Sequence, residues 1–141
     1  MEISDVRRRV TETVEGAKRA AGERRARSDE AARDYAVVLE SLAVPLVRQV
    51  ANVLKAQGYL FGVFTPSGSV RLASEKSADD YIEISLDTSG DQPVVLGHSR
   101  RTRGRRIVEH ERPIGGPAIQ SVTEEQLLAF VLEQLGPLVE R

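Results

Sequence analysis

The chain has 141 residues, 40% hydrophobic and 29% charged, a composition that suits one folded domain rather than a disordered chain. Twenty basic and twenty-one acidic residues leave a net charge of −1, which excludes a whole-molecule pull towards nucleic acid or anionic lipid. Cysteine is absent and His98 and His110 are the only histidines, so disulfides, cysteine-ligated zinc and thiol catalysis are excluded.

Residues 2–57 read as helix almost throughout. The first half sets Ile3, Val6, Val10, Val14, Ala17 and Ala20 or Ala21 at steps of three and four, a narrow apolar stripe. Continuing that heptad lands on Arg24, Arg27 and Asp34, residues that a buried seam would not choose. The second half carries a wide stripe: Tyr35, Val38, Leu39, Leu42, Leu46, Val50, Val53 and Leu54. Ser28 followed by Asp29 and Glu30 resembles a cap with first-turn acids, so the helix is expected to restart there. Pro45 removes one backbone hydrogen bond and predicts a kink, because the apolar phase passes through it unbroken. Gly58 supplies the stop.

From Tyr59 the period changes to two. Strands are expected at 59–65, 70–73, 81–87, 94–101 and 106–112, with turn residues between them. Ile82, Ile84 and Leu86 alternate onto one buried face. Thr102-Arg103-Gly104-Arg105 reads as a hairpin tip, and a two-residue Arg103-Gly104 turn would put Arg101 opposite Arg106 and His98 opposite Glu109. The last element is a helix over 123–135, started by a capping box from Thr123 and Gln126 or from Ser121 and Glu124. Leu127, Leu128, Val131, Leu132 and Leu135 form its stripe, with Phe130 beside it, and Gly136-Pro137 ends it.

This order predicts an α+β fold: a long, kinked N-terminal helix, an antiparallel meander of about five short strands, and a C-terminal helix, with both helices on one sheet face. Residues 1–34 are expected as a helical extension, 35–141 as the α+β sandwich domain. An arm whose apolar stripe is too poor to hold it alone points to self-association, most simply as a homodimer.

The densest chemical cluster is the tip. Arg100, Arg101, Arg103, Arg105 and Arg106 surround one glycine, and arginine forks suit phosphate contacts. The bland alternative is a solvated tip paired with Glu75, Asp79, Asp80, Asp87 and Asp91. No aromatic residue interleaves these arginines, so base stacking is not suggested. The acids do not have the spacing of a calcium loop, and two histidines offer little for another metal, so no metal or cofactor is expected. No serine has a histidine and an acid in readable array, and no enzyme is expected. Only six aromatic residues argue against a large aromatic ligand pocket. No apolar run is expected to approach the roughly 18 residues that a membrane helix needs, and Met1 leads into charge rather than a signal-peptide core, so no membrane partner is expected and the cytoplasm is the expected location. The reading is therefore a non-enzymatic, oligomeric protein-interaction module, with a nucleic-acid- or phosphate-binding protein using 100–106 as the alternative.

Overall fold

The N-terminal helical pattern folds as a single rod. In the computed structural model, which describes residues 1–140, α1 (Ile3–Val38) passes through a π turn (Leu39–Ala43) into α2 (Val44–Ala56). Together they make 54 residues of helix, about 80 Å at 1.5 Å per residue. Ser28 caps nothing; the helix runs through it without a restart. Pro45 is accommodated by the wide turn ahead of it. Proline has no N–H and its ring presses on the carbonyl four residues back. The Val44 N–H reaches instead to the Leu39 carbonyl, five residues back, which is the π spacing. Gly58, at φ +89°, then closes the helix. Its N–H donates to the Lys55 carbonyl and the Tyr59 N–H to the Leu54 carbonyl, a complete Schellman pair. Contrary to the expectation of no such run, an 18-residue window of the rod, mean hydropathy 1.5, is apolar enough by length and composition to cross a membrane, and 33% of that window is buried inside the body.

The five strands are β1 (Phe61–Phe64), β2 (Val70–Ser74), β3 (Tyr81–Asp87), β4 (Val94–Arg103) and β5 (Arg106–Ile114). They form one antiparallel meander in sequence order. The register aligns Val70 with Ile84 and Ile84 with Gly97, and Leu72 with Ile82 and Ile82 with Ser99. These residues, with Val95 and Ile114, line the inner face. Against it lie Tyr35, Val38, Leu46, Val47 and Leu54 of the long helix and Leu127, Phe130 and Val131 of α3 (Glu124–Val139). Both helices thus cover one sheet face. The other face carries Arg71, Tyr81, Glu83, His98 and Arg100.

α3 begins with the box formed by Thr123 and Gln126: the Gln126 N–H donates to Thr123 Oγ1 at 3.2 Å and the Thr123 N–H to Gln126 Oε1 at 2.9 Å. Its far end differs from expectation, since Gly136-Pro137 does not stop it. The helix continues to Val139 and so brings Leu138 into the core. Its buried stripe is Leu127, Phe130, Val131 and Leu138, whereas Leu132 is exposed. Phe130 belongs inside the stripe, not beside it. A short 3₁₀ turn (Ile119–Ser121) precedes the helix and buries Ile119.

Tyr35 ties the rod to the sheet through its hydroxyl, which donates to the Ile84 carbonyl at 3.2 Å. Burial pushes this hydroxyl well above its ordinary value of 10, and the Glu83 charge adds to the shift. The folded state therefore holds the proton more tightly than the unfolded chain. That contribution is whole below about pH 10 and is lost as pH rises beyond it. Tyr35→Phe should cost about 1 kcal/mol at neutral pH for the lost hydrogen bond. Urea unfolding at neutral and alkaline pH should show the gap between Tyr35→Phe and the native chain closing above pH 10 and then reversing. A constant gap would remove the assigned role of the buried hydroxyl.

Candidate functional site

The hairpin tip closes on Gly104-Arg105, not on Arg103-Gly104. Arg103 faces Arg106, and Gly104 takes φ +64° at the first central position while Arg105 stays at negative φ. Glycine first is the requirement of a type II′ turn, glycine second that of type I′. The register therefore shifts by two residues relative to expectation: Arg101 lies opposite Val108 and His98 opposite Glu111. A shift of two preserves the faces. His98 and His110 still point to opposite sides, and His98 Nε2 still reaches Glu109 Oε1, now along a diagonal at 3.6 Å. The like charges that meet across the ladder are Arg103 and Arg106.

Alternation divides the five arginines. Arg100 lies on the outer face, with Nε 3.9 Å from Glu109 Oε1. Arg101, Arg103 and Arg106 share the inner side, and Arg105 occupies the turn. Arg101 lines a cleft of about 230 Å³ with Ser99, His110, Gln134, Pro137 and Leu138, under the last turns of α3. A more open hollow of about 560 Å³ adjoins it, lined by Arg101, Arg103, Pro137 and Glu140. The Nε atoms of Arg71, Arg100 and Arg101 are buried without a hydrogen-bond partner among the described residues. Positive charge at this end suits the negative pole of α3, whose last carbonyls point towards the same region. The Ser99 hydroxyl, across the ladder from His110, donates instead to Gln134 Oε1 at 2.7 Å. Glu133, which also lines the cleft, is held by Arg112, whose guanidinium lies 5.1 Å from the Phe130 ring centroid.

The acids of 75–91 do not act as one group. Asp80 is 2% exposed, and its Oδ1 accepts from the Thr102 N–H at 2.7 Å and the Thr102 hydroxyl at 3.1 Å. Glu83 accepts from Ser69 Oγ at 2.9 Å and pairs with Arg71 at 3.2 Å. Arg71 lies over Tyr81, 4.0 Å from the ring centroid, and Tyr81 meets His98 edge to face at 5.5 Å. This outer-face cluster was not readable beforehand, because its members come from three strands and depend on register. Among the described residues no group of three or more His, Asp or Glu side chains is placed to hold a metal ion.

The second feature is the arm. From Met1 to Arg19 every residue is exposed except the partly covered Asp5 and Gly16. Ile3 is 78% exposed, Val6 44%, Val10 56% and Val14 45%. Ala20, Ala21 and Gly22 are partly covered, and the helix enters the core at Ala31. The charged steps that spoil the stripe have a structural reason. Arg24 and Ser28 border a hollow shared with the polar loop Thr88–Asp91, and Arg27 and Asp34 border another shared with Gln92, Pro93 and the segment 117–120. Those positions face loops, not core.

No family model, no curated protein and no solved structure matches this chain.

Proposed function

We propose that this chain is a non-catalytic module that assembles with copies of itself through the N-terminal arm, leaving the α+β body to engage a protein partner. One observation carries the reading. Four apolar side chains, Ile3, Val6, Val10 and Val14, stand on one stripe of a helix that has left its own core behind. A lone exposed valine means little, but a row at helical spacing is what an unpaired helix face looks like. Most helical stability in proteins comes from packing an amphipathic face, and this stretch packs its face on nothing of its own chain. Burying four such side chains from each copy is worth on the order of 10 kcal/mol before the cost of association, so the contact is expected in the micromolar range.

The test is light scattering on the full chain and on a Val6→Glu, Val10→Glu, Val14→Glu variant. The native chain should be a dimer at about 100 µM and the variant a monomer with the same thermal stability of its body. A native chain that stays monomeric at that concentration would falsify the reading. The alternative, an anion held at 100–106, has less behind it. Its arginines are split between two faces and a turn, and Glu133 and Glu140 sit beside the inner group.

A further inference from the structure

We infer that the occupant of the arm's apolar stripe is the arm of a second copy, running antiparallel, with the two-fold axis at Val10. The inference rests on the self-association just proposed and adds its geometry. Three observations carry it.

The first is spacing. Ile3, Val6, Val10, Val14 and Ala17 are symmetric about Val10. An antiparallel partner centred there sets Val10 on its own copy, Val6 on Val14 of the second copy, and Ile3 on Ala17. Side-chain size agrees at the ends of the contact: the bulky Ile3 of one arm meets the small Ala17 of the other, with Gly16 beside it. The two helices can then keep one separation along the contact, with large residues facing small ones. A parallel pair would set Ile3 on Ile3 and Ala17 on Ala17, and the gap would taper.

The second is the extent of free helix. The exposed stretch is Met1–Arg19, whose midpoint is residue 10. A two-fold there uses the whole stretch and brings Met1 of the second copy level with Arg19, just before Ala20 becomes covered.

The third is steric. The stripe continues at steps of three and four through Arg24 and Ser28 to Ala31, Tyr35 and Val38. The drift of an α-helix from a seven-residue repeat is about 20° per heptad, so the arm's stripe and the core-facing stripe remain on one side of the rod. The body already occupies that side: Ala31 faces the 117–120 segment, and Tyr35 and Val38 lie in the core, Tyr35 bonded to the Ile84 carbonyl of the sheet. A parallel partner would have to continue into the 88–93 loop and the sheet. An antiparallel partner leaves in the other direction and carries its body away. The two bodies then sit at opposite ends, with the two Tyr35 residues about 75 Å apart at 1.5 Å per residue.

The absence of cysteine makes the test clean, since each introduced thiol is the only one present. Val10→Cys, oxidised in the full chain, should give nearly complete disulfide-linked dimer. Val6→Cys alone and Val14→Cys alone should link at least tenfold less, and mixing these two variants should restore the link between them. Two results would overturn the register while leaving self-association standing: a native dimer by light scattering in which Val10→Cys fails to link, or one in which Val6→Cys and Val14→Cys each link to themselves, as in a parallel pair. A native chain that is monomeric by scattering removes both readings together.

Discussion

Gly97→Ala should destabilise the fold by about 3 kcal/mol, the scale of a badly overpacked core. Gly97 lies on the inner face of β4 between Ile84 and Arg112. A Cβ built there would stand 2.6 Å from two atoms of the Phe130 ring, well inside van der Waals contact. The ring has no retreat. Phe130 is 0% exposed, Leu127 and Val131 pack beside it, and the Arg112–Glu133 pair holds the sheet edge to the same turn of α3. The backbone of Gly97 is not at positive φ, so the loss is steric and not conformational. Thermal unfolding should therefore fall by roughly 10 °C. Phe130→Leu, which shortens the ring, should cost about 2 kcal/mol alone but recover part of the Gly97→Ala loss when the two are combined. Simple additivity in that cycle, or a Gly97→Ala cost under 0.5 kcal/mol, would show that the contact does not decide how α3 docks.

The second large effect is expected at Asp80. This carboxylate closes the end of the β4–β5 hairpin by taking both the backbone N–H and the hydroxyl of Thr102. Its own backbone is equally committed: the Asp80 carbonyl accepts from Ser74 N–H at 2.9 Å and its N–H donates to the Ser77 carbonyl at 3.0 Å. Hydrogen bonds to a charged acceptor are worth about 1.5–3 kcal/mol each, and Asp80→Ala removes the carboxylate acceptor from the part-buried Thr102 N–H. A loss of about 3 kcal/mol is expected for Asp80→Ala, against about 1 kcal/mol for Thr102→Val, which removes only the hydroxyl. Chemical denaturation of both variants and of the double variant gives the coupling directly. If Asp80→Ala costs no more than Thr102→Val, the backbone contact is not the one that matters.

Much of the fold was legible because periodicity is a local property. Tyr81–Asp87 alternates so cleanly that its strand bounds and buried face follow from the residues alone. The C-terminal capping box is equally local, since Thr123 and Gln126 are three residues apart. Where expectation failed, a distant partner decided the outcome. Gly136-Pro137 is a good stop signal, yet the body offers Leu138 a place in the core and the helix continues into it. Ser28 is a good cap in isolation, but Ala31, Tyr35 and Val38 bury the same rod and carry the helix through it. At the tip, one glycine satisfies either of two turns, and only the pairing of Arg103 with Arg106 distinguishes them. The candidate arginines were legible as a cluster but not as a site, because a shift of register decides which of them share a face. Gly97 and Asp80 carried no signal at all: nothing local separates Gly97 from a turn glycine, or Asp80 from Asp79.

The open edges of the sheet have a consequence for how copies of this chain can meet. β1 offers only the four residues Phe61–Phe64, too short to template much pairing. β5 is longer, with nine residues, but carries Glu109, Glu111 and Pro113. Two copies joined edge to edge about His110 would press Glu109 of each against Glu111 of the other, and Pro113 would leave a rung without a donor. Sheet extension, the usual route from an exposed edge to fibres, is thereby guarded against.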